Sequence, residues 1–273
     1  MEPVLMAELI AVGALSGTLG ALFGIGGGII FVPVLTIIYG LSASEAVAVS
    51  LVGIIASSTG AAAFYVEKGA ANVRLGLLLE TTTTIGAMAG ALVAVYIENW
   101  ILLAAFAAVE IYSAASMLLV PERAPAPTSE DDPLSFSYRD DKSGEVKRYR
   151  VGRLAPGTAL CAAAGAMSSM TGVGGGTVKI PLMNLMMGVP MRAASNTSNY
   201  MIGITAFSGA IIYLASGSLL MEHAAAIAIG AFAGSIAGVH ASRRIDSSSV
   251  RRYFSVLLLF VAAVVLLEAG GYL

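Results

Sequence analysis

Two glycine clusters carry the most specific chemistry in this chain. GIGGG at 24–28 runs into IIFVP, and GVGGG at 172–176 runs into TVKIP, so one pattern, G-[IV]-G-G-G-x-x-x-[VI]-P, is written twice. Glycines lack a side chain, which lets the backbone turn sharply and bring its amide N–H groups against a solute. Gly26, Gly27 and Gly28, with Gly174, Gly175 and Gly176, therefore form two candidate sets of backbone donors. Each set opens a short helix, whose N-terminus adds a partial positive charge. Such a site prefers an anion. The competing reading is that these glycines only permit close helix packing in lipid. A dinucleotide fingerprint is excluded, because no βαβ unit surrounds either cluster.

Lys179 follows Gly176 by three residues and lies inside an apolar segment. A charge within a bilayer costs at least about 2.5 kcal/mol, so it faces a cavity or a partner. It either adds charge to an anion site or pairs with an acid such as Glu80 or Glu110. In the stretch NTSNY, Asn196, Thr197, Ser198 and Asn199 gather hydroxyls and amides that suit an oxyanion or bind neighbouring helices; the first half keeps only Ser50 at that place. Glu80 and Glu110 are candidates for proton coupling, since a buried carboxyl can exist neutral, or for counter-ions to Lys179. The hydroxyls of Thr81 to Thr84 can bond to their own helix.

The elements that position these residues are duplicated. An offset of 148 residues holds without a gap from Gly17/Gly165 through Tyr65/Tyr213 to Ile97/Ile245, with Lys179 opposite Phe31. Each copy divides into five apolar segments, about 4–22, 29–39, 45–66, 75–97 and 100–120, then 154–170, 177–187, 193–215, 221–241 and 250–267. The third, fourth and fifth of each set are long enough to span a bilayer, and the second is too short to do so alone. The expected fold is an all-α polytopic membrane protein. It has a first transmembrane repeat at 1–120, a linker at 121–153 and a second, inverted repeat at 154–273. Each repeat holds a Gly-rich helical hairpin bending near mid-membrane and three spanning helices. The linker alternates as LSFSY and EVKRYRV around DDKSG, which predicts a small solvated β-hairpin.

Composition supports a membrane location. Of 273 residues, 57% are hydrophobic and 12% charged, half the charged fraction of a typical soluble domain, and mean hydropathy is +0.84. Fourteen of the charged side chains fall within 121–153. Apart from Lys179, the basic residues (Lys68, Arg74, seven in the linker, Arg192, Arg243, Arg244, Arg251 and Arg252) all come out on one side under alternate threading. That side is read as cytoplasmic, which makes the linker cytoplasmic and both termini non-cytoplasmic. The sequon at Asn196 then has no access to glycosylation. The first segment lacks a basic n-region and should remain in the mature chain.

Other chemistries find no support. Cys161 lies in an Ala-rich run and reads as a buried thiol, and His223 and His240 have no metal-ligand company, so no metal or cofactor is expected. No nucleophile with a paired base, no HExxH and no paired aspartates occur in the helices, so the chain does not read as an enzyme. Nucleic acid is not an expected partner.

The doubled motif, each copy followed by a short apolar run, Gly-Leu-Ser or Gly-Val-Pro, and a small-residue helix holding Ser50 or Thr197-Ser198, resembles the TauE/SafE family of sulfite and organosulfur-anion exporters over essentially the whole chain. The resemblance implies a multi-pass permease of the inner or plasma membrane, moving small anions such as sulfite, sulfoacetate or related sulfonates. Lys179 departs from the apolar residue expected there in that family. The reading is a secondary transporter, an exporter, with alternating access around a central anion site. A passive anion channel is the alternative, and a cation carrier using Glu80 and Glu110 is a further rival.

Overall fold

The computed structural model describes residues 2–119, 135–139, 145–242 and 247–269. Among these the chain is helical apart from one hairpin. In order it forms α1 (Pro3–Phe23), α2 (Gly28–Ile37), α3 (Ala43–Glu67), α4 (Val73–Ala94), α5 (Asn99–Leu119), β1 (Ser135–Arg139) and β2 (Val146–Arg150). There follow α6 (Leu154–Thr171), α7 (Gly176–Pro181), which continues as a π-helical stretch Leu182–Met186, α8 (Met191–Ala215), α9 (Met221–Ser242) and α10 (Ser247–Ala269). Every apolar segment read from the sequence is helical. The hairpin strands pair antiparallel with Ser135 opposite Arg150. The expected turn at 140–144, with Arg243 and Arg244, lies outside the described residues.

Local sequence sets the boundaries. Pro3 starts α1, where its missing N–H is not needed. Ser42 and Glu45 form a reciprocal capping box on α3, and the Asn72 side chain accepts from Leu75 N at 3.0 Å to cap α4. Gly24 and Gly172 end α1 and α6 in the left-handed region, with φ of 86° and 71°.

Among the described residues, six helices, α1, α3, α4, α5, α8 and α9, are long and apolar enough to cross a membrane; α10 adds a shorter apolar run, Ser255–Leu267. At 21 residues α1 reaches about 30 Å, so it has the length to cross by itself rather than only to form one limb of a hairpin. Large apolar side chains such as Leu15, Ile85, Tyr112, Phe207 and Phe260 are exposed on the outer faces, as a lipid-facing surface requires.

The two halves interlock. α1 lies along α9 and α4 lies along α6, while α3 crosses α8 and α5 pairs with α10. Small residues make the close approaches possible. A Cβ on Gly86 would strike the Ala162 carbonyl, and one on Gly90 the Ala166 carbonyl; 148 residues later, Gly234 and Gly238 stand in the same way against the carbonyls of Ala14 and Thr18. With no hydrophobic drive between helices in lipid, such backbone contact supplies the packing energy. Gly86→Leu should therefore lower stability by at least about 1–3 kcal/mol through forced separation of α4 from α6, read as a lower denaturation midpoint in detergent.

The hairpin is tied to the helical body. Tyr138 and Tyr149 are buried, the Tyr149 hydroxyl accepts from Asn72 Nδ2 at 2.7 Å, and Asn72 N–H donates to Thr197 Oγ1 at 2.9 Å. Gly152 N–H donates to the Met187 carbonyl at 2.9 Å. Burial pushes the Tyr149 hydroxyl up to about 12, against a pull downward from the Asn72 bond. The folded chain thus holds this proton more tightly than the unfolded chain does. Its contribution to stability is complete below about pH 10 and is lost as pH rises from about 10 to 12. Tyr149→Phe should remove that alkaline component from the stability profile, measured as unfolding free energy against pH.

Candidate functional site

The two glycine loops meet at the centre of the bundle. Gly24, Gly26 and Gly27, and likewise Gly172, Gly174 and Gly175, all have positive φ between 71° and 93°, a conformation open to glycine without strain. A Cβ on Gly28 would collide with the Gly172 carbonyl, and one on Gly176 with the Gly24 carbonyl, so the loops touch backbone to backbone. Gly26 and Gly174 both lie against Ile54 and Ile202, which stand near the midpoints of the 25-residue helices α3 and α8. Both loops are buried.

Intrahelical bonding begins with Ile30 and Phe31 donating to the Gly27 carbonyl, and with Val178 and Lys179 donating to the Gly175 carbonyl. The amides of Gly28, Ile29, Gly176 and Thr177 thus precede the ladder and have no intrahelical acceptor. These groups can meet an oxyanion once the loops part. Beside them, the buried Ser168 hydroxyl has no partner and would lie 3.2 Å from a Cβ on Gly175.

The polar residues of α3 and α8 hold these loops from the opposite half. Ser50 Oγ donates to the Gly172 carbonyl at 2.6 Å, and Ser198 Oγ donates to the Gly24 carbonyl at 2.8 Å. Asn199 Nδ2 donates to the Ala21 carbonyl at 3.0 Å, leaving its Oδ1 unpartnered and buried. Thr197 accepts from Asn72, and Asn196, half-buried, donates to the Ala70 carbonyl at 3.4 Å. The hydroxyl hydrogens of Ser50 and Ser198 are thus directed at loop carbonyls, the helix-binding alternative left open by the sequence. Asn196 and Thr197 stand at the α3–α4 junction, away from the glycine contact.

Lys179 is fully buried and paired. Its Nζ lies 3.3 Å from Glu80 Oε2 and donates to Thr205 Oγ1 at 2.6 Å, while Thr205 Oγ1 donates to Glu80 Oε1 at 2.5 Å and Thr84 Oγ1 to the same oxygen at 3.3 Å. Glu80 is therefore the acid that answers Lys179. Thr81, Thr82 and Thr83 bond to carbonyls of their own helix, and Thr82 also reaches the Thr158 carbonyl of α6. Glu110 is fully buried on α5, and neither carboxyl oxygen has a hydrogen-bond partner. Cys161 is a buried free thiol and His240 is exposed.

Four further residues belong to the site. Ile54 and Ile202 seal the loop contact, Ser57 Oγ donates to the Gly26 carbonyl at 2.5 Å, and Thr205 bridges the ion pair. A signal for all four was present: Ile54 and Ile202, and the hydroxyl pair Ser57 and Thr205, are mates at the 148-residue offset. From one side a groove of about 680 Å³ runs between α3 and α8, with Ser58, Thr59, Glu67, Tyr200, Gly203 and Phe207 on its walls.

This is a multi-pass helical membrane protein whose two halves meet at paired glycine loops. The chain belongs to the TauE/SafE sulfite exporter family, which it matches over residues 9–265. It is also 24% identical to the "Probable membrane transporter protein YunE" of Bacillus subtilis (strain 168), across 95% of this chain and 97% of that protein. No solved structure matches. The chain is accordingly a membrane transporter of that family, with the non-enzymatic role this implies.

Removing one member of a buried ion pair strands the other. Lys179→Ala should lower unfolding free energy in detergent by about 3–5 kcal/mol, and Lys179→Met combined with Glu80→Met should recover most of the loss.

Proposed function

We propose that this protein is a secondary transporter, an exporter, of small sulfur-containing oxyanions such as sulfite or sulfonates, bound between the two glycine loops and released to each side in turn. The observation that carries the reading is the meeting of Gly24–Gly28 with Gly172–Gly176 at the middle of α3 and α8, with the N-termini of α2 and α7 at that contact. Gly26 to Gly28 and Gly174 to Gly176 supply backbone donors, the Gly26 amide being released for this from the Gly20 carbonyl, to which it donates at 3.3 Å. Lys179, whose Cε would lie 3.3 Å from a Cβ on Gly175, supplies positive charge beside the second loop. Ser50, Thr197, Ser198, Asn196 and Asn199 set the loops and the mouth of α8 that the anion must pass.

The recurrence of contacts at the 148-residue offset supports two inverted repeats, and the distribution of basic residues supports a plasma or inner membrane location with the linker cytoplasmic and both termini outside. Direct loop contact under Ile54 and Ile202 supports alternating access rather than an open channel, since the path is closed by packed backbone and side chains. Transport then requires the loops to separate.

Binding across sulfite, thiosulfate, sulfoacetate, taurine and acetate, measured by calorimetry in detergent, should favour the sulfur oxyanions over acetate. No binding by any of the five would remove the reading. In proteoliposomes Gly27→Val and Gly175→Val should each lower flux at least about tenfold, because a branched side chain cannot adopt these left-handed positions; retained flux would reduce the glycines to packing.

A further inference from the structure

We propose that Glu110 is the proton-binding site of this protein, and that anion binding at the glycine loops and protonation of Glu110 favour one another. The linkage rests on the reading of those loops as the anion site. The two buried acids of the membrane region are treated in opposite ways. Glu80 is answered by Lys179, Thr205 and Thr84. Glu110 is equally buried, with no cation and no hydrogen-bond donor on either oxygen. An isolated carboxylate in such surroundings is far more costly than the neutral acid, so Glu110 carries a proton in this closed arrangement.

Its polar surroundings are poised rather than engaged. The Thr177 side chain faces Glu110 but does not form a hydrogen bond with it, and the Thr177 hydroxyl is itself buried and unpartnered. Ser113, one turn along α5, is a further buried hydroxyl without a partner. Thr177 directly follows Gly176, whose backbone touches the Gly24 carbonyl. Opening of the second loop therefore moves Thr177 relative to Glu110.

Among described side chains, the elements packed on α5 bring no competing partner. On α7, Lys179 is bound to Glu80 and Thr205, and on α6 the titratable group is the buried Cys161. On α3, Glu45 is held in its capping box, Tyr65 is bonded to the Ala21 carbonyl and to Ser242, and Glu67 is exposed at the helix end. On α10, Arg252 and Tyr253 are exposed near its start. The mate of Glu110 at the 148-residue offset is Leu258, buried on α10, so the acid is present on one side only and one proton accompanies one anion.

The sign follows from like charge. An anion entering beside an ionised Glu110 is repelled, and protonation removes the repulsion, so affinity is highest at low pH. It falls by up to about tenfold per pH unit as pH rises through the titration of Glu110, and by reciprocity anion binding draws a proton onto the carboxyl. Methanesulfonate is a suitable probe because its own charge does not change over this range.

Two measurements on the full chain in detergent test the assignment. Infrared difference spectra at neutral pH should show a protonated carboxyl C=O band that disappears in Glu110→Gln and in Glu110→Leu, the latter copying Leu258. No Glu110-dependent band overturns the proton site whether or not any anion binds. At a pH above the point where that band is lost in the anion-free protein, calorimetry of methanesulfonate and of sulfite in two buffers of different ionisation enthalpy should show wild type taking up as much as about one proton more per anion than Glu110→Gln. Binding with equal proton uptake in the two proteins overturns the linkage while leaving the anion site standing. Failure of every anion to bind overturns the proposed function and the linkage with it.

Discussion

Backbone contact between Gly24–Gly28 and Gly172–Gly176 is the constraint on which the rest depends. Two stretches of main chain can lie against each other at the centre of a bundle only if neither carries a Cβ at the contact and if their carbonyls are satisfied from elsewhere. The first condition places the glycines at Gly28 and Gly176. The second is met by Ser50, Ser57 and Ser198, which donate to Gly172, Gly26 and Gly24 from α3 and α8. The amides of Gly28, Ile29, Gly176 and Thr177, at the starts of α2 and α7, have no intrahelical acceptor, and the proposed anion site draws on them.

Around that near-symmetric centre the polar residues are one-sided. Lys179, Glu80, Glu110 and Thr177 have mates Phe31, Ala228, Leu258 and Ile29. Ionisable side chains therefore stand beside the second loop, while the first meets serine hydroxyls and hydrocarbon. Under the proposed alternating access the two conformations would then have unequal energies, because only one loop carries a charge pair that must be kept together while the packing shifts. The Lys179–Glu80–Thr205 cluster ties α7 to α4 and α8, so it limits how the second loop can travel.

Much of this is legible in the sequence. The segment boundaries follow from Gly, Pro and polar interruptions, and the hairpin strands from period-two alternation at 134–138 and 145–151. Lys179 is recognisable as a charge that needs a partner, but the choice between Glu80 and Glu110 is not, because both lie mid-segment and their helical phase relative to α7 depends on packing between elements distant in sequence. The same limit hides the role of Ser50 and Ser198: a hydroxyl one turn from a small residue reads alike whether it meets a solute or a neighbouring carbonyl. Pairing of α1 with α9 and of α4 with α6 is likewise beyond reach, since glycine and alanine spacing marks a contact face without naming what it contacts.

Exchange of first helices between the halves bears on how the chain is made. α1 leaves the ribosome roughly two hundred residues before α9, the helix it lies along, so through most of synthesis it sits in lipid without its partner. It must endure that wait as an autonomous span. Its composition is suited to this, with 21 residues and no ionisable group in the stretch after Glu8. The small residues that will later admit α9 are tolerable in solitude because an alanine or glycine facing acyl chains leaves no polar group stranded. The bundle is thus closed only by the last helices, with α9 meeting α1 and α10 meeting α5 after the central loops have been made.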